Sequence, residues 1–73
     1  MKRKLPFDCT IVDEQPVYVT NPFSGEGIML EPDEVAVYDT MKGAELFGDW
    51  ETVQDGIDWF IKYNSKAYMV LLD

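Results

Sequence analysis

Between residues 30 and 32 the spacing of apolar side chains changes from every second position to every third or fourth. A chain carrying both periods in that order has few architectures open to it, because a strand hides alternate residues and a helix hides one stripe. Before the change, Leu5, Phe7, Cys9 and Ile11 alternate with Pro6, Asp8 and Thr10. Val17 and Val19 then alternate with Tyr18 and Thr20, and Ile28 and Leu30 flank Met29. The turn-forming stretches DEQP and NPFSGEG separate these runs. This pattern predicts a three-stranded antiparallel meander with one apolar face.

After the change the signals are helical. Pro32 suits a first helical position, and Asp33 and Glu34 suit the positive end of a helix. Glu31 would be the N-cap, a weaker choice than Ser, Thr, Asp or Asn. Ala36, Val37, Met41, Ala44 and Phe47 form a broad apolar face, and Gly48 is a natural stop. Gly43, inside this helix, suggests a close backbone contact. Asp49 caps a second helix beginning at Trp50, with a stripe of Val53, Ile57, Phe60 and Ile61. The run KAYMVLL reads as a short helix capped by Ser65, or as a buried strand. The expected class is therefore α+β: a three-stranded antiparallel meander followed by two amphipathic helices and a short C-terminal helix (or strand). Residues 5–73 form one small domain, and residues 1–4 are expected to fray as a basic tip.

A single cysteine cannot form an internal disulfide or a thiolate metal site, and there is no histidine. A chain of 73 residues must then rely on packing or self-association. Its 47% hydrophobic content fits a folded domain. No run approaches a membrane span, and the basic start lacks the apolar stretch of a secretory signal, so a cytoplasmic location is expected. Net charge is −8, and the region from Leu5 to Ile61 holds thirteen acids against one base, Lys42. Such a field repels phosphates and attracts basic surfaces.

The segments NPFSGE, EPDEVAVYDTMKGAELFGDW, GIDWF and AYMVLLD resemble small acidic proteins encoded by tailed bacteriophages, including phages of marine bacteria. The resemblance covers about the last fifty residues. It implies a product made inside a bacterial host, and it carries no assigned activity and no functional residues.

No catalytic, cofactor-binding or metal-binding residue stands out. The commonest general base is missing, Cys9 sits in an apolar alternation, and SGEG lacks the Lys-Ser/Thr of a phosphate loop. Adjacent acids at Asp13–Glu14 and Asp33–Glu34 are explained by a turn and a helix start. The expected function is that of a non-catalytic acidic protein that modulates a protein with a basic surface, in one form by imitating nucleic acid. Glu51, Asp55 and Asp58 share a helix face at i, i+4 and i+7 and could form such a row; a solvated helix face is the bland alternative. The alternative function is structural, as a small homodimer or an accessory subunit. No direct contact with nucleic acid or membrane is expected.

Two aromatics complete the protein-binding candidates. Phe23 lies in the loop after Asn21 and Pro22, where it is expected to fold back onto its strands and to be a secondary contact. Trp59 falls opposite the Val53–Ile61 arc on a helical wheel. It is expected to pack beneath the C-terminal AYMVLL run first, or else to enter a dimer interface or anchor a partner.

Overall fold

A computed structural model describes residues 3–72. Its elements are β1 (Val17–Thr20), β2 (Gly27–Leu30), α1 (Pro32–Leu46), α2 (Trp50–Tyr63) and α3 (Ser65–Ala67), which runs on into a π-helical turn over Tyr68–Leu72. The α+β class and the order of sheet before helices are as expected, and the C-terminal run is helical. The sheet has two strands, paired antiparallel with Val17 opposite Leu30 and Val19 opposite Ile28. Those four residues face the core, while Tyr18 and Met29 pair on the outer face. Gly27 leaves room for the Tyr18 ring: a Cβ there would stand 2.6 Å from it.

The third strand of the expected meander is not formed. Residues 3–16 carry no regular secondary structure. Leu5, Phe7 and Cys9 still pack against the core, so the alternation reports burial on one side without a hydrogen-bonded ladder. Pro6 has no amide hydrogen to give to a neighbouring strand. Past Thr10 the chain leaves the core, and Ile11 and Val12 are exposed where the alternation placed Ile11 inward.

α1 begins as its sequence indicates. Pro32 occupies the first turn, and the Glu34 carboxylate accepts the Glu31 N–H at 2.8 Å, which compensates for the weak cap. Gly48, at φ +73°, follows the C-cap Phe47. Residues 34–38 are buried on every side, because the N-terminal arm covers the part of α1 that α2 and β2 leave open. The far end of α1 protrudes, and Phe47, expected on the buried face, is exposed. Asp49 caps α2, its carboxylate accepting from the Thr52 N–H and hydroxyl. Asn64, rather than Ser65, caps α3 through its side-chain oxygen and the Ala67 N–H.

Leu30, Val37, Met41 and Phe60 form the fully buried centre. The close approach of helices lies at Gly56, where a Cβ would drive into the Met41 thioether. Gly43, expected to mark such a contact, has open space around it. On α2 the buried positions are Gly56, Trp59 and Phe60, with Val53 and Ile57 half-buried and Ile61 exposed. The hidden stripe is thus turned toward Trp59 because a second wall, the N-terminal arm, covers that side.

Candidate functional site

Helix α2 holds the acidic row in a fixed frame. Glu51, Asp55 and Asp58 are all exposed, and Asp58 accepts a hydrogen bond from Gln54 at 2.9 Å. Among the described residues, ion pairs engage the carboxylates of Asp33, Glu34 and Glu45 and none of this row. With a rise of about 1.5 Å per residue, the row spans roughly 10 Å along the helix. It is not uniformly anionic. Asp55 and Asp58 border a shallow depression of about 410 Å³ that also has Lys4 and Lys62 on its edge.

Trp59 forms the inner wall of that depression and is spent inside the fold. It is only 5% exposed, and its indole N–H donates to the Lys4 carbonyl at 2.7 Å. Phe60 meets it edge-on and Tyr63 lies tilted beside it. The Arg3 guanidinium sits 5.0 Å from its ring centroid. The N-terminal arm therefore supplies a cover that the wheel does not show, while Trp59 also belongs to the core cluster that includes Ala67 and Leu71 of the C-terminal run. A helical wheel cannot register a segment 55 residues away in sequence.

The same arm ends in a charged latch. Arg3 clamps Asp33 through Nε at 2.8 Å and Nη2 at 2.5 Å, and reaches Glu34 through Nη1 at 2.9 Å. Burial opposes the guanidinium's charge, but hydrogen bonds to Asp33 and Glu34 and their negative field outweigh it and raise its pKa. Glu34, 2% exposed, also accepts from the Asn64 side chain at 3.0 Å. The tip expected to fray is thus held at Arg3 and Lys4, while Met1 and Lys2 lie outside the described residues.

Phe23 departs from expectation in the other direction. It is 96% exposed and does not fold back onto β1 and β2. The 21–26 loop closes without its side chain. The Asn21 carbonyl accepts the Gly25 N–H, the Asn21 N–H donates to the Glu26 carbonyl, and the Asn21 side-chain oxygen accepts the Phe23 N–H. The Asn21 amide also donates to the Val70 carbonyl at 3.1 Å, tying the loop to the C-terminal helix. Gly25, at φ +78°, supplies the left-handed turn position. Beside Phe23 opens a groove of about 330 Å³ between the loop, α1, α2 and the C-terminal turn.

Cys9 is half-buried; burial, then the negative charges of Asp8 and Asp33, push its thiol pKa up. That direction opposes thiolate chemistry. No cluster of three or more potential metal ligands occurs among the described residues. No helix among them is long and apolar enough to cross a membrane. Comparison with protein-family models, with curated proteins and with solved structures gives no match.

Proposed function

We propose that this protein is a non-catalytic acidic binding protein that modulates a protein with a basic surface, in the phage setting its sequence resemblance implies. The observation that carries this reading is the row of Glu51, Asp55 and Asp58, exposed and, among the described residues, without ion pairs on a capped helix. Carboxylates fixed on a helix keep their spacing when a partner approaches, so their attraction is not spent on ordering long side chains. The excess of acids over the chain adds long-range steering. Nucleic-acid mimicry is one form of this function, with the α2 row standing in for backbone phosphates. The lack of histidine and the upward shift of the Cys9 thiol favour binding over catalysis.

A second reading, assembly as a homodimer, draws support from the exposed apolar side chains Phe23, Leu46, Phe47 and Trp50. Salt separates the two. Capture of the protein on an immobilised oligo-lysine peptide should fall steeply from low to high salt and be abolished by Asp55→Lys with Asp58→Lys, with the melting curve unchanged. Capture unaffected by the double reversal would overturn the acidic-row reading. A salt-insensitive dimer in sedimentation would favour assembly.

A further inference from the structure

Arg3 is the one arginine among the chain's six basic residues, and it is seated where only a guanidinium uses every contact. Asp33 accepts from Nε at 2.8 Å and from Nη2 at 2.5 Å, and Glu34 accepts from Nη1 at 2.9 Å. The centroids of the Trp59 and Tyr63 rings lie 5.0 and 5.8 Å from its central carbon. A bidentate carboxylate selects the planar fork of arginine over the ammonium of lysine, and aromatic rings at this range add cation–π attraction.

The seat is built without its occupant. Glu34, 2% exposed, also accepts from the Glu31 N–H at 2.8 Å and the Asn64 amide at 3.0 Å, and Asp33 accepts the Glu34 N–H at 2.9 Å. Trp59 is fixed in the core, edge-on to Phe60. The occupant is held less firmly, because residues 3–16 carry no regular secondary structure and no ladder ties Arg3 down. When the arm lifts, two cations, Arg3 and Lys4, leave the surroundings of the two rings. Among the described residues, Asp33 and Glu34 of the seat and Asp55 and Asp58 of the adjoining depression are then faced by Lys62 alone. The Trp59 indole N–H, which donates to the Lys4 carbonyl, is freed at the same moment.

We infer that this seat is a binding site for an arginine side chain of a basic partner protein, and that Arg3 is its built-in competitor, an autoinhibitory plug that the partner's arginine displaces. The carboxylates left by the arm favour a cationic replacement, and the fork selects arginine. The freed indole N–H offers a donor to the backbone of the incoming chain, as it does to Lys4. A plug of this kind lowers the apparent affinity in proportion to the fraction of molecules that are open. The inference rests on the acidic-binding reading above and deepens it, by naming the side chain that the partner must present and the contact that holds binding in check.

The test compares two blocked tripeptides, acetyl-Ala-Arg-Ala-amide and acetyl-Ala-Lys-Ala-amide, by titration calorimetry on the full chain at low salt. Arg3→Ala vacates the seat and should bind the arginine peptide at least about tenfold tighter than the wild type does, as the open fraction rises toward one. The lysine peptide should bind both proteins with the same, weaker affinity. Asp33→Asn in the Arg3→Ala background removes the charged bidentate acceptor and should abolish the preference for arginine. Arg3→Ala also loses the latch, so its melting curve is a second reading: the arginine peptide should raise it and the lysine peptide should not. Arg3→Lys keeps a charge at the latch but not the fork, and should also bind the arginine peptide more tightly than the wild type. Equal affinity of the arginine peptide for the wild type and both Arg3 variants would overturn the plug. Equal binding of the two peptides to Arg3→Ala would overturn the arginine site. Oligo-lysine capture by the same variants distinguishes that failure from failure of the acidic-row reading, because Glu51, Asp55 and Asp58 are intact in all of them.

Discussion

Replacing Arg3 with Met keeps an apolar stem over Trp59 and removes the charge that joins the arm to α1. Three hydrogen bonds disappear, two to Asp33 and one to Glu34, together with the cation–π contacts to Trp59 and Tyr63. Removing one partner of a buried ion pair costs about 3–5 kcal/mol, chiefly because the other charge is left behind. Two features lower that figure here. Arg3 and Asp33 retain about a fifth of their side-chain exposure, so Asp33 can be rehydrated. Glu34 keeps the Glu31 N–H and the Asn64 amide as donors and lies in the first turn of α1. A loss of about 2–3 kcal/mol remains, against the roughly 3–5 kcal/mol that a domain of this size commands. At about 4–8 °C per kcal/mol the melting temperature should fall by some 10–20 °C. Near-UV circular dichroism and Trp emission would follow the melt. Glu34→Gln in the Arg3→Met background removes the stranded charge and should recover part of the loss, giving a coupling of about 1 kcal/mol or more in a double-mutant cycle. A drop under about 3 °C for Arg3→Met, or additive effects of the two substitutions, would refute the latch.

Other outcomes are expected from single side chains. Gly56→Ala should destabilise by about 1–3 kcal/mol, because its methyl group meets the Met41 side chain, whereas Gly43→Ala should stabilise by up to about 1 kcal/mol, since nothing lies nearby; chemical denaturation reads both. Cys9 has its pKa raised in the folded state, so at a given pH it carries less thiolate than in the unfolded chain. Native alkylation should lag that of the denatured protein, and any stability from this group should be present below the ordinary thiol pKa and decline as pH rises above it. Asn21→Ala should cost about 1–2 kcal/mol by releasing the Val70 carbonyl and the Phe23 N–H, read as a lowered melting temperature.

The parts of this fold that could be read in the sequence are those set by neighbours. Pro32, Gly48 and Asp49 bound two helices through capping within one turn, and of the two loop glycines expected to take a positive φ, Gly25 does and Gly27 does not. The exposure of Glu51, Asp55 and Asp58 followed from spacing alone. What escaped depends on distant partners. Leu5, Phe7 and Cys9 alternate as a strand would, yet no sheet edge receives them. Trp59 looked stranded because its cover comes from Lys4 and Arg3. Phe23 was expected to be buried because a lone Phe invites cover, whereas Asn21 closes the loop without needing it. The groove beside it joins four separate stretches of chain, so no local pattern signals it.

The arm that ends at Arg3 also sets the order in which the native state can come apart. Its hydrogen-bonded anchors, Asp33 and Glu34 on α1 and Trp59 on α2, lie 30 to 55 residues away, so it docks only after both helices are in place. No strand ladder ties it to the sheet. Such a segment opens at a lower free energy than the helices it covers, as a unit of its own in hydrogen exchange. When it lifts, Leu5, Phe7, Cys9 and the indole of Trp59 meet water in one step. The indole of Trp59 then acts as a built-in reporter of these openings: its hydrogen bond to the Lys4 carbonyl breaks when the arm detaches, so exchange of the indole N–H follows that event without the rest of the molecule unfolding.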